Sequence, residues 1–158
     1  MGGVTADLAN ALLNRGDAFG DIYLQIEGLQ GSCYADTLSG DGQANRLEGG
    51  AGNDSLSGRD GDDTLTGGAG DDLLAGGIGA DSFIFTEGED TITDFTDDTD
   101  TIHVSAGLWQ GAQPDVAALL AEAEVTATGV VLHFGGGATL DIRGIFDASL
   151  LADDILVV

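Results

Sequence analysis

Gly49-Gly50-Ala51-Gly52-Asn53-Asp54-Ser55-Leu56-Ser57 is followed without a break by Gly58-Arg59-Asp60-Gly61-Asp62-Asp63-Thr64-Leu65-Thr66. Two further copies complete the run, Gly67-Gly68-Ala69-Gly70-Asp71-Asp72-Leu73-Leu74-Ala75 and Gly76-Gly77-Ile78-Gly79-Ala80-Asp81-Ser82-Phe83-Ile84. Each nonapeptide has a Gly-rich start, an Asp at the sixth place and a large apolar residue at the eighth. Glycine accepts positive φ, so the backbone curls and its carbonyls converge. The Asp adds a hard anionic oxygen to that ring, a donor set that suits calcium, which takes six to eight such oxygens in irregular geometry. The last three residues form a short strand whose central side chain points inward. One repeat cannot bury that side chain alone, so repeats must stack into a solenoid.

The nine-residue register runs beyond the four full copies. The apolar place is held by Leu29, Leu38, Leu47, Leu56, Leu65, Leu74, Phe83 and Ile92, and the acidic place by Glu27, Asp36, Asn45, Asp54, Asp63, Asp72, Asp81 and Asp90. Glycines keep the pattern only from Gly49 to Gly79, with Gly88 as a last trace. The central turns therefore carry the expected metal positions. Their carboxylates are Asp54, Asp63, Asp72 and Asp81, flanked by Asp36 and Asp90 in weaker turns. The backbone positions are Gly49, Gly50, Ala51, Gly52, Gly58, Asp60, Gly61, Gly67, Gly68, Ala69, Gly70, Gly76, Gly77, Gly79 and Gly88. The side chains of Asp41, Asp60, Asp62 and Asp71 fall outside the ladder and read as solvated charges. Residues 31–36 (Gly-Ser-Cys-Tyr-Ala-Asp) and 40–45 (Gly-Asp-Gly-Gln-Ala-Asn) depart from the pattern, the second ending in a neutral amide.

Bulk composition agrees with metal binding and excludes several partners. There are 28 acidic residues against four basic ones, all arginine, for a net charge of −24. Such self-repulsion opposes collapse unless cations bind or screen it. It also excludes nucleic acid, whose phosphates require clustered Lys and Arg, and it disfavours an anionic membrane surface. Apolar residues make up 42% of the chain and mean hydropathy is slightly positive, unlike a disordered acidic segment. Cys33 is alone, which rules out an intrachain disulfide. No run has the length of a membrane span, and no N-terminal secretory signal pattern is visible. Met1-Gly2-Gly3 reads as a start codon and a remnant of cloning ahead of an excised domain.

Outside the repeats the expectations are local. Val4–Leu8 reads as a strand, the alternative being a short helix capped by Thr5 and running through Leu13, and Asp21–Leu29 alternates like a strand feeding the first coil. Thr91–Phe95 and Thr101–Val104 are strand-like around the acidic turn Asp97-Asp98-Thr99-Asp100, which is either a polar turn or a further ion position. Pro114-Asp115 starts a helix through about Glu122, with Val116, Leu119 and Leu120 on the face expected to pack on the solenoid. Val130–Phe134 and Ala138–Ile142 form a hairpin around Gly135-Gly136-Gly137. Trp109, Phe134 and Phe146 are expected in the core of this segment. His103 and His133 read as packed or surface residues, since no zinc-binding H-E-x-x-H is present, and Cys33 as incidental. No EF-hand loop and no dinucleotide-binding βα context occur.

These residues resemble the RTX (repeat-in-toxin) family, the hemolysin-type calcium-binding repeats of Gram-negative bacteria. The stretch Gly79–Phe85, with Asp90-Thr91-Ile92-Thr93-Asp94-Phe95 and Asp100-Thr101-Ile102, is similar to the C-terminal domain of serralysin-type proteins. The resemblance implies an all-β fold. That fold is a right-handed parallel β-roll over residues 31–93, with a lead-in cap at 1–30. A β-rich capping segment containing one short helix follows at 94–158. In the family two nonapeptides make one coil, and calcium sits between turns two repeats apart. Asp54 would then share an ion with the turn ending in Asp72, Asp63 with that ending in Asp81, and Asp72 with that ending in Asp90. Three to five ions are expected. The family leaves the cell by type I secretion through an uncleaved C-terminal signal, and Asp154-Ile155-Leu156-Val157-Val158 is similar to the end of such signals.

The resulting expectation is a non-enzymatic module, secreted and extracellular, that folds on binding calcium and supports an upstream catalytic or toxin domain. No membrane insertion is expected. The alternative is a polysaccharide- or surface-binding accessory module of a secreted enzyme such as an alginate epimerase.

Overall fold

The computed structural model describes residues 2–111 and 113–158. Through the repeat region the chain forms β1 (Thr5–Asp7), β2 (Gly28–Gln30), β3 (Thr37–Ser39), β4 (Arg46–Ala51), β5 (Ser55–Asp60), β6 (Thr64–Ala69), β7 (Leu73–Ile78), β8 (Ser82–Phe85) and β9 (Glu89–Ile92). Beyond it come β10 (Thr101–Val104), the helix α1 (Val116–Ala121), β11 (Glu124–Val125), β12 (Gly129–His133), β13 (Thr139–Arg143) and β14 (Ile155–Val157).

Because nine residues make half a coil, alternate strands fall in opposite sheets. One sheet runs β1-β3-β5-β7-β9-β13-β12-β11 and the other β14-β10-β8-β6-β4-β2. Within the roll every pairing is parallel, and the apolar places meet in register: Leu38 beside Leu56, Leu56 beside Leu74, Leu74 beside Ile92. In the facing sheet Leu29, Leu47, Leu65 and Phe83 line up in the same way. The ladder residues from Leu38 to Ile92 are all at most 1% exposed. Removing their apolar surface from water is the main force that stacks the coils.

The roll is continued by strands that lie outside the nonapeptides. β13 pairs in parallel with β9, placing Ile142 beside Ile92. β10 extends the other sheet, Ile102 beside Phe83, and β14 closes it with Ile155 beside Ile102. The hairpin of β12 and β13 is antiparallel, as its sequence suggested. The helix buries Leu119 and packs Val116 and Leu120 against the core. Trp109 and Phe134 meet edge to face at 5.8 Å, and Phe85 packs against Phe134 with the rings tilted, their centroids 5.1 Å apart.

Three local expectations are corrected. Asp21–Leu29 does not form a strand; only Gly28–Gln30 does, because residues 21–27 have no neighbouring strand to pair with. Ile22 and Leu24 are accordingly 74% and 79% exposed. The strand expected at Thr91–Phe95 ends at Ile92, where Thr93 and Asp94 turn the chain over the roll. Phe146 is 59% exposed and so lies outside the core.

Candidate metal centre

The Gly-rich turns and the glycine-free turn that follows them stack in two columns. One holds the turns ending in Asp36, Asp54, Asp72 and Asp90, the other those ending in Asn45, Asp63, Asp81 and Asp100. In each column the carboxylate reaches back one coil. The amide N–H of Asp36 donates to Oδ1 of Asp54 at 2.8 Å, that of Asp54 to Asp72 at 2.8 Å, and that of Asp72 to Asp90 at 3.1 Å. In the second column Asn45 donates to Asp63 at 2.7 Å, Asp63 to Asp81 at 2.9 Å and Asp81 to Asp100 at 2.9 Å.

The second carboxylate oxygens separate the turns into two kinds. Oδ2 of Asp54, Asp63, Asp72 and Asp81 is buried with no hydrogen-bond partner. An ionised oxygen in that state is costly unless a cation faces it. Asp36 is satisfied by protein donors instead: Oδ1 accepts from the Val4 N–H at 2.6 Å and Oδ2 from the Ser32 N–H at 2.5 Å. Oδ2 of Asp100 accepts from the Thr96 N–H at 2.8 Å, and Oδ1 of Asn45 from the Asp41 N–H at 2.7 Å.

The glycines shape the space around the unpartnered oxygens. A Cβ on Gly49, Gly58, Gly67 or Gly76 would collide with Oδ2 of Asp54, Asp63, Asp72 or Asp81 respectively. On Gly49 and Gly58 it would also lie 2.6 Å from the carbonyl oxygens of Gly67 and Gly76, one coil on. The free oxygen, its own turn and the next coil's carbonyl therefore meet in one place. At the second position Gly50, Gly68 and Gly77 have φ of 109°, 111° and 105°, where a side chain is strained. Gly52, Gly61, Gly70 and Gly79 hold the fourth position, and Ala51 pairs with Ala69 between coils. Gly88 lies against the Gly70 carbonyl. Asp60 projects to solvent, so only its backbone belongs to a turn.

Burial raises the affinity of these carboxyls for protons. Asp63 and Asp72 are pushed up to about 6, and Asp90 to about 8. The cause in each is desolvation, opposed by the N–H from the coil before and reinforced by neighbouring carboxylates. Asp54 and Asp81 shift the same way for the same reason. A bound divalent ion supplies the positive charge that would hold all of them ionised. Among the described residues no group of three or more His, Cys, Asp or Glu converges. A cation here therefore draws mostly on backbone carbonyls, a donor set that fits calcium and not zinc.

Sequence reasoning passed over Asp94, whose Oδ1 accepts from the Gly76 N–H at 3.0 Å and thus extends the second column. It lies 18 residues after Gly76, in register with the first glycine of the turns, but the stretch Ile92-Thr93-Asp94-Phe95 has no glycine to mark that place. Oδ1 of Asp97 and Oδ2 of Asp154 are also buried without partners. The two are far apart in sequence, so no spacing could link them.

The family described as the RTX calcium-binding nonapeptide repeat, in four copies, matches residues 30–65 and again 57–92. The solution structure of the AlgE6R3 subunit from the Azotobacter vinelandii mannuronan C5-epimerase is 33% identical and covers 77% of each chain, with a TM-score of 0.59. This chain belongs to the RTX calcium-binding repeat family. The β-roll expected from the nonapeptides is thus the fold of this RTX module, and calcium is its ligand. No curated protein matches the chain.

Proposed function

We propose that this RTX module is a calcium-triggered folding unit with four ion positions, one at each unpartnered Oδ2 of the nonapeptide turns. The carboxylates of Asp54, Asp63, Asp72 and Asp81 face the ions, and the carbonyls of the Gly49–Gly52, Gly58–Gly61, Gly67–Gly70 and Gly76–Gly79 turns complete the oxygen sets. Asp90 closes the first column by bonding the Asp72 amide, and Asp36 ties the first full coil to β1. The observation that carries this reading is the division of the acidic ladder. Four central carboxylates each keep one buried oxygen free, while Asp36 at the start of one column and Asp100 at the end of the other are satisfied by protein N–H groups.

With a net charge of −24, the calcium-free chain is held expanded by repulsion. Where sites do not preform, ion binding energy becomes folding energy. That coupling suits a chain exported through type I secretion in a low-calcium cytosol and folded in the calcium-rich exterior. Residues 31–93 then act as the switch and residues 94–158 as the cap, and the module stabilises a larger exported protein without catalysing a reaction itself. A calcium titration followed by far-UV circular dichroism tests this, with magnesium as control and chelator reversal. A cooperative, calcium-specific gain of β signal is expected. A chain equally folded in chelator would overturn the switch.

A second reading, an accessory module beside a polysaccharide-acting enzyme, is favoured by the likeness to the epimerase subunit. A cleft of about 340 Å³ on the cap, walled by Trp109 and Phe134 and rimmed by Gln110, Gln113 and Glu122, offers an aromatic face with polar edges. A glycan array in calcium separates the two readings.

A further inference from the structure

Arg59 breaks the pattern of its own turn. It holds the second position, where the other full repeats place Gly50, Gly68 and Gly77, and it keeps their left-handed backbone at φ 82°. A residue with a side chain pays a conformational cost there, so its side chain must return something. The guanidinium runs back one coil and ends among three oxygens, the Gly40 carbonyl and both carboxylate oxygens of Asp7. Nη1 donates to the Gly40 carbonyl at 2.5 Å and to Asp7 Oδ1 at 3.0 Å, and Nη2 donates to Asp7 Oδ2 at 2.5 Å. Asp7 is 3% exposed. Its backbone lies beside Ser39, immediately before the 40–45 turn, and its Oδ1 also accepts from the Asn10 N–H at 2.8 Å.

Gly40 is the first residue of its turn, the counterpart of Gly49, Gly58, Gly67 and Gly76. In those turns the oxygen facing the first glycine is an unpartnered carboxylate. In the 40–45 turn it is the neutral Oδ1 of Asn45, which already accepts from the Asp41 N–H. The two oxygens that meet at the first glycine of this turn, the Gly40 carbonyl and Oδ1 of Asn45, are therefore both met by protein donors. The positive charge beside the Gly40 carbonyl and the Asp7 and Asp41 carboxylates is supplied by the guanidinium. Its bidentate fork matches the carboxylate geometry.

We propose that Arg59 is a resident cation that takes the place of a calcium ion at the first turn of the second column. It thereby sets the ion count of that column and fixes the N-terminal segment to the roll. This rests on the calcium reading above and names the residue that limits it. The column whose turns end in Asn45, Asp63, Asp81 and Asp100 starts on an arginine, and its ion positions begin one coil later, at Asp63.

The test is the ion count by native mass spectrometry in saturating calcium, for the full chain and for Arg59→Gly/Asn45→Asp. The double variant restores the repeat at both places, and glycine suits the backbone at residue 59. One more ion than in the unaltered chain is expected. An unchanged count in a variant whose circular dichroism shows the folded roll would overturn the proposal. Arg59→Gly alone gives a second readout, hydrogen exchange at the Leu8 and Arg15 amides, which donate to Ser39 and Thr5 carbonyls. Leaving Asp7 buried without its cation should speed exchange roughly tenfold, and unchanged rates would overturn the tether. Absence of any bound calcium in the unaltered chain would instead sink the calcium reading, independently of Arg59.

Discussion

The turns ending in Asp54 and Asp72 and the turns ending in Asp36 and Asn45 stack in the same two-column roll, yet they solve the same electrostatic problem in opposite ways. In the first pair a carboxylate oxygen is buried without a partner. In the second pair the corresponding oxygens accept from Ser32 and Asp41 N–H groups. A turn that satisfies itself can form without metal, whereas a turn that buries a bare charge cannot. The difference teaches that the stacked fold alone does not define an ion position. What defines it is an oxygen the protein leaves unmet.

The sharpest way to break this contrast is to remove the charge in each kind of turn. Asp72→Asn should cost one bound ion and raise the calcium midpoint about a hundredfold, since charged hydrogen bonds and ion contacts contribute roughly 1.5–3 kcal/mol each. Asp36→Asn should leave the ion count unchanged and move the midpoint less than about threefold. Isothermal titration of both variants checks the pair, and equal shifts would remove the distinction between the turns.

A smaller effect is expected from space. Gly67→Ala would press a methyl group onto Asp72, whose Cβ and Cγ both lie 2.7 Å from the added atom. A loss of roughly 1–3 kcal/mol in calcium-saturated stability follows from such overpacking. Gly42, in the self-satisfied 40–45 turn, has nothing within 4 Å of an added Cβ. Gly42→Ala should therefore stay within about 0.5 kcal/mol. Urea unfolding in saturating calcium measures both.

The smallest effect is one of acid on the calcium-free chain. Carboxyls buried in the fold bind protons more tightly than in the unfolded chain, from an ordinary value of 3.8 up to about 6 for Asp63 and Asp72 and about 8 for Asp90. Their protonated forms stabilise the fold fully below the unfolded value. That contribution is lost as pH rises through about 6 and then about 8. Lowering the pH from 8 to 5 in chelator should thus recover a fraction of the β signal that calcium induces. The same step should weaken calcium binding, because ions and protons compete for the same oxygens. A calcium-free signal that falls on acidification would contradict the burial of these groups.

Much of this was legible in the nine-residue period. Leu38, Leu47, Leu56, Leu65, Leu74, Phe83 and Ile92 could be placed in one core from their spacing, because a solenoid converts a sequence interval into a stacking distance. The same interval singled out Asp54, Asp63, Asp72 and Asp81. It could not tell them from Asp36, whose Oδ2 is met by the Ser32 N–H within its own turn and whose Oδ1 is met by the Val4 N–H, 32 residues away. It failed at Asp21–Leu29, where alternation was present but no partner strand was.

By itself, then, the sequence determined the repeat, the inward apolar ladder, the Gly-rich turns and the suitability of their oxygens for calcium. All of these follow from interactions between residues nine or 18 apart. Only the tertiary structure decided how the ladder continues and where it stops. Ile142 stacks on Ile92 and Ile155 on Ile102 across about fifty intervening residues, and Arg59 reaches Asp7 from 52 residues away. Such contacts depend on where irregular segments return to the roll. No local period encodes that return, and packing against the finished coils selects it.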